Sequence, residues 1–211
     1  MKSLEHEIAK LNADLANLPS EVKEIFRRSI EDLSAMDLIE KSIQVGDKFP
    51  DFSLLNTENR RIELGELLIK GKVIVAFFRG SWCPFCNLEL RALQENLPYF
   101  KEYGVSLIAI SPQMPQYNDQ LSSDLALDFE LLFDEDNLLA NNCGISFELQ
   151  DYANSTYNKL GIRLKEYNGN DNNGLPVPAV FVIDKDGRVS YRFLDVNYTN
   201  RLCIDELKIA L

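Results

Sequence analysis

Histidine is almost missing from this chain: there is one, His6, near the N-terminus. Cysteine–histidine and serine–histidine catalysis both need an imidazole base beside the nucleophile. With only His6 to supply one, neither is expected. Positive charge is also scarce. Lys and Arg number 22 against 33 Asp and Glu, a formal net charge of −11. Such a surface repels phosphate backbones and anionic lipid, so neither nucleic acid nor a membrane is an expected partner. No apolar run approaches the roughly 20 residues that a membrane span needs. The opening MKSLEHEIAKLNADL has acids where a signal peptide needs an apolar core, so no export signal is expected and a cytoplasmic setting is. Four cysteines in that setting point to redox or metal chemistry before structural bridges.

What is present is the composition of an ordinary globular protein. The 211 residues are 45% hydrophobic and 26% charged, which suits one domain with an appendage. Residues 1–45 read as a helical extension. Leu4, Ile8, Leu11, Leu15 and Leu18 recur at helical spacing, Pro19 and Ser20 interrupt them, and Val22, Phe26, Ile30 and Leu33 start a second stripe. Two antiparallel helices or one broken helix both fit. So do a packing appendage and a dimer contact, which leaves a homodimer open.

From residue 46 to 211 the pattern changes. Phe52–Leu55 and Arg61–Leu64 suggest short paired strands. Lys72–Phe78, Val105–Ile110 and Ala179–Ile183 are continuous apolar runs of strand length, as in a sheet buried on both faces. Asp184-Lys185-Asp186-Gly187 then predicts a hairpin into Arg188–Leu194. Leu90, Leu93, Leu97 and Phe100 mark a helix, with weaker helical stretches near 115–126, 136–142 and 197–211. Strands alternating with helices predict an α/β sheet with helices on both faces. Residues 168–174 form a polar loop.

The chemistry gathers in Phe77-Phe78-Arg79-Gly80-Ser81-Trp82-Cys83-Pro84-Phe85-Cys86-Asn87, where a buried strand gives way to a helix. Cys83 and Cys86 have C-x-x-C spacing and meet across the first helical turn. The free N–H groups and the positive end of the helix dipole stabilise a thiolate there. A thiol so placed can fall from about 8.5 into the range of roughly 3.5–7.5. The second thiol is near enough to close a disulfide, so the pair can take up and release two electrons. Structural zinc needs four ligands, usually from two such knuckles. Cys143 and Cys203 are isolated, so no metal is expected and both read as bystanders.

These residues are similar to the AhpC/TSA group, the alkyl hydroperoxide reductase and thiol-specific antioxidant proteins. The likeness spans about residues 45–211. It rests on Gly46-Asp47-Lys48-Phe49-Pro50-Asp51-Phe52, Arg79 to Cys86, Ile110-Ser111-Pro112, Pro176-Val177-Pro178-Ala179, Asp184-Lys185-Asp186-Gly187 and the run from Asp195 to Arg201. The resemblance implies a thioredoxin-like fold, with a central mixed sheet behind the helical extension. It also implies thiol-dependent reduction of peroxides, with no cofactor beyond the thiols. The active-site run departs from ordinary peroxiredoxins. Cys83 falls where they place Thr in Pro-x-x-x-Thr-x-x-Cys, and Arg79 falls at their Pro. Where they hold a later arginine, this chain has Pro178, which matches the cis-proline that thioredoxins set against Trp-Cys-x-x-Cys.

Two registers follow. Peroxiredoxin register makes Cys86 the peroxide-reacting thiol and Cys83 its resolver. Thioredoxin logic makes Cys83 the nucleophile, because the helix-starting cysteine is the more exposed, and this is the favoured assignment. Arg79 reads either as an electrostatic partner of thiolate and peroxide or as half of a surface ion pair. Trp82 reads as a packing lid on the motif. The leading expectation is a thiol peroxidase regenerated by a thioredoxin-like or other dithiol reductant. A disulfide oxidoreductase without special peroxide affinity is the alternative. A non-catalytic thioredoxin-like module would need neither thiol.

Overall fold

The computed structural model describes residues 3–211. In chain order the helices are α1 (Leu4–Leu15), α2 (Ser20–Ser34), α3 (Leu38–Lys41), α4 (Leu64–Lys70), α5 (Pro84–Glu102), α6 (Pro115–Leu125), α7 (Leu138–Asn142), α8 (Asp151–Lys159), α9 (Leu164–Asn168) and α10 (Ile204–Ile209). The strands are β1 (Ser53–Asn56), β2 (Arg61–Glu63), β3 (Val73–Phe77), β4 (Ser106–Ser111), β5 (Glu130–Phe133), β6 (Ser146–Glu148), β7 (Gly174–Pro176), β8 (Ala179–Ile183) and β9 (Val189–Leu194). Seven strands form one mixed sheet in the order β2-β1-β5-β4-β3-β8-β9, and β6 and β7 make a separate ribbon.

The apolar runs occupy the centre. β3 pairs in parallel with β4 and antiparallel with β8, and all five residues of both β3 and β8 are buried. Successive side chains of a strand point to opposite faces. Val73, Val75 and Phe77 therefore enter one core, beside residues of α8 such as Ala153 and Tyr157. Ile74, Ala76 and Phe78 enter the other, against Leu90, Leu93 and Leu97 of α5. The predicted hairpin forms between β8 and β9, with Gly187 at φ 81 taking the left-handed position and donating to the Asp184 carbonyl at 2.8 Å.

The N-terminal segment is two helices broken at Pro19, which caps α2. They are not a paired hairpin. α1 packs on α5 and α2 packs on α8. Ile8, Leu11 and Leu15 join one core while Ile25, Phe26 and Leu33 join the other. Each stripe packs on a separate face of the body.

Candidate active site

β3 delivers the chain to Arg79-Gly80-Ser81-Trp82, and α5 begins at Pro84 with Cys83 as its N-cap. Proline suits the first helical position because its missing N–H had no partner there anyway. Gly80 has φ 152, and a Cβ on it would lie 2.4 Å from Trp82 Nε1. Only glycine lets the indole fold back over the loop. Gln113 accepts from the Ser81 N–H at 2.8 Å and Asn87 donates to the Ser81 carbonyl at 2.8 Å, so the loop is tied to α5 and to the segment that follows β4.

The expected exposure of Cys83 is overturned: Cys83 and Cys86 both have 0% relative exposure. The cause is the cap itself. An N-cap side chain folds back to accept from the first turn, and Cys83 Sγ accepts from the Cys86 N–H at 3.4 Å. That turns the sulfur into the protein. Cys86 Sγ donates to Cys83 Sγ at 2.6 Å.

Two buried arginines close on this pair. Arg79 donates through Nη2 to Cys83 Sγ at 3.3 Å and through Nη1 to the Tyr157 hydroxyl at 2.9 Å. Its guanidinium lies 3.8 Å from the centre of the Tyr198 ring. This removes the surface ion pair as a reading of Arg79, which is 4% exposed. Arg201 donates through Nη2 to Cys86 Sγ at 3.4 Å and approaches Cys83 Sγ at 3.9 Å. Its Nη1 holds Glu89 Oε2 at 2.9 Å in a fully buried ion pair. Two cations thus face one carboxylate, and a thiolate brings the cluster to neutrality. An uncompensated buried charge is costly, so the cluster itself favours ionisation of one thiol.

The thiols separate accordingly. Burial pushes Cys83 up, but the hydrogen bond from Cys86 and the charges of Arg79 and Arg201 outweigh it, leaving Cys83 well below the ordinary thiol range. Burial also pushes Cys86 up. There the donated hydrogen bond and the Cys83 charge add to burial, so Cys86 stays protonated. Burial raises the Glu89 carboxyl against the pull of Arg201.

The remaining sequence candidates take lesser places. Trp82 packs edge-on to Tyr157 with ring centres 5.4 Å apart, as a lid on the motif. Pro178 lines a small cavity with Arg79 and Tyr157, but its peptide bond is trans: no cis bond occurs among the described residues. The expected cis form fails because Val177 donates to the Ile145 carbonyl at 2.7 Å while Ala179 already pairs with Phe77. The chain enters β8 extended between those two anchors. Cys143 is buried elsewhere and Cys203 begins α10.

Four residues of the cluster escaped the sequence reading as site residues: Glu89, Tyr157, Tyr198 and Arg201. Glu89 had a signal, being a lone acid on the helix face of Phe85, Cys86, Leu90 and Leu93. Arg201 and Tyr198 lay within the run from Asp195 to Arg201 without an assigned role. Tyr157 had no signal, because α8 reaches the motif only through the tertiary fold.

The AhpC/TSA family model matches residues 45–192. The chain is 29% identical over 150 residues to thiol-disulfide oxidoreductase ResA of Bacillus thuringiensis (strain Al Hakam), covering 71% of this chain and 69% of that one. It is 25% identical over 158 residues to peroxiredoxin Bcp of Escherichia coli (strain K12), covering 75% and 90%. Among solved structures, peroxidoxin BcpB from Mycobacterium tuberculosis superposes with a TM-score of 0.63 at 20% identity, over 80% of this chain and 96% of the other. The helices α1 and α2, and Arg201, lie outside the stretch matched by the family model. A two-thiol centre at the start of α5, on a mixed sheet with helices on both faces, fits these likenesses, and the chain belongs to the AhpC/TSA family of oxidoreductases.

Proposed function

We propose that the protein is a thiol-dependent peroxidase that reduces hydrogen peroxide or organic hydroperoxides through Cys83 and Cys86. The observation that carries this is the Cys83 sulfur held under two guanidinium groups with a second thiol at 2.6 Å. The Cys83 thiolate attacks one peroxide oxygen. An S–O bond forms, the O–O bond breaks, and the leaving oxygen departs as water or an alcohol after taking a proton. Arg79 and Arg201 are placed to stabilise the negative charge that moves from sulfur to that oxygen. The Cys86 thiol then attacks the Cys83 sulfenic acid. A disulfide forms and the hydroxyl leaves as water with the Cys86 proton. The sum is two thiols plus one hydroperoxide giving a disulfide, an alcohol or water, and a further water.

Reduction of the disulfide needs an external dithiol, and a thioredoxin-like protein is the proposed donor. Thiols kept reduced in this way suit the cytoplasm. Residues 1–45 are proposed as an extension to a thioredoxin-like domain of residues 46–211. No described helix is long and apolar enough to cross a membrane. The likeness to ResA favours a second reading, disulfide exchange without special peroxide affinity. Stopped-flow oxidation of the reduced protein by hydrogen peroxide and by an organic hydroperoxide, set against insulin disulfide reduction, separates them. Peroxide oxidation no faster than that of free cysteine, together with rapid insulin reduction, would transfer the assignment to the second reading.

A further inference from the structure

The two sulfurs have no exposure, yet their proposed chemistry needs both a small peroxide and a bulky dithiol. The N-terminal helices flank the motif on both sides. Leu11 of α1 lies in a groove with Pro84 and Leu88 at the start of α5. On the other side Ser29, Ile30 and Leu33 of α2 close a cavity of ≈ 10 Å³ against Arg79, Tyr157 and Pro178, room for about one water molecule. Arg79 lines that cavity and donates to Cys83 Sγ.

The seating of α2 is shallow, an apolar edge of Ile25, Phe26, Ile30 and Leu33 supplemented by polar contacts. Of its 15 residues only Ser29 and Leu33 are buried. Its polar contacts are made to α8 and the residue before it. Tyr152 Oη donates to Asp32 at 2.5 Å, Arg28 sits 4.4 Å from the Tyr152 ring centre, and Ser29 donates to Gln150 at 2.7 Å. Phe26 meets Tyr157 edge-on at 5.8 Å. Both ends have breaks, at Pro19 and at Asp37, which holds φ 54. A helix fastened this way opens locally at far lower cost than the core strands.

We infer that α2 is a lid that sets the size selectivity of the site: seated, it admits peroxides and excludes bulky disulfides, and lifted, it uncovers the Pro178 side for the reductant. The inference rests on the reading that Cys83 and Cys86 are the redox pair. Its test uses the Cys203→Ser protein, in which Cys143 is the one other thiol and is buried and protonated. The reduced protein is challenged with hydrogen peroxide and, separately, with dithionitrobenzoate, a bulky aromatic disulfide. The same two rates are then measured with Arg28→Ala and Asp32→Ala added.

The lid predicts slow attack by the bulky disulfide on the parent. In the loosened variant that rate rises about tenfold or more, the scale of a lost cation–π contact and a charged hydrogen bond, while the peroxide rate stays within about twofold. An unchanged ratio of the two rates, or a parent that the bulky disulfide attacks as fast as unfolded chain, overturns it. Absence of peroxide oxidation would sink the peroxidase reading alone, since the disulfide arm still judges the lid. If the loosened variant fails to fold, hydrogen exchange on the parent decides. The α2 amides must exchange well ahead of those of α5, and exchange in step with α5 overturns the lid.

Discussion

Cys83 and Cys143 are both completely buried, and they lie at opposite ends of thiol chemistry. Burial raises both. Around Cys143 the Asp134 carboxylate raises it further, which holds that thiol protonated at neutral pH. Around Cys83 two guanidiniums and a donated hydrogen bond reverse the sign. Exposure is therefore not what sets these two thiols apart. Neighbouring charge is, and it overcomes a desolvation penalty that alone would silence both thiols.

The largest test of that contrast removes the sulfurs. Cys83→Ser should lower peroxide reduction by about 10³-fold or more, the scale of a lost nucleophile. Cys143→Ser should leave turnover within about twofold, provided it folds. Cys86→Ser should accumulate a sulfenic acid on Cys83 that dimedone traps. Trapping on Cys86 in the Cys83→Ser protein, with none on Cys83 in the Cys86→Ser protein, would restore the peroxiredoxin register.

Removing the charge comes next. Arg79→Met or Arg201→Met should slow oxidation by about 10²-fold. Each should also move the iodoacetamide alkylation midpoint up toward the free-thiol value of about 8.5. A slower variant with an unmoved midpoint would mean that the arginines hold peroxide rather than thiolate. Tyr157→Phe keeps both charges and removes only the hydroxyl that holds Arg79. About a tenfold loss and a smaller shift in the same direction are expected. No shift would make Tyr157 a packing residue.

The smallest effect is on stability. With Cys83 depressed, the unfolded chain binds more protons than the folded one between the folded Cys83 value and about 8.5, so reduced-state stability rises with pH there. With Cys86 raised, the folded chain holds the extra proton above about 8.5, so that contribution falls again as pH rises. Urea unfolding of the reduced protein should thus show a maximum contribution from the pair near pH 8.5 (about the free-thiol value), and the disulfide form should lack it. A flat difference between the two forms would remove the charge contrast.

The central strands and the long helix were legible because burial on both faces writes continuous apolar runs, as in Val73–Phe77 and Ala179–Ile183, and an amphipathic helix repeats every three or four residues. β5, the β6–β7 ribbon and α8 were not. β5, β6 and β7 have only three or four residues each, and α8, with the sequence DYANSTYNK, carries little apolar signal. Their stability comes from tertiary contacts that outweigh local propensity.

The sequence by itself determined where the two thiols of the proposed redox pair sit. A C-x-x-C at a strand-to-helix junction places two sulfurs one turn apart, because α5 has fixed geometry and Pro84 starts it. Which sulfur carries the charge was decided only in three dimensions. Arg79 comes from the loop beside the helix, Arg201 from 115 residues beyond Cys86, and Tyr157 from α8 on the far side of the sheet. The cis-proline expectation failed for the same reason, since the hydrogen bonds of Val177 and the pairing of Ala179 belong to other elements. Covalent spacing is local and survives in the sequence. A field is the sum of charges over distance, and the distances exist only once the chain has folded.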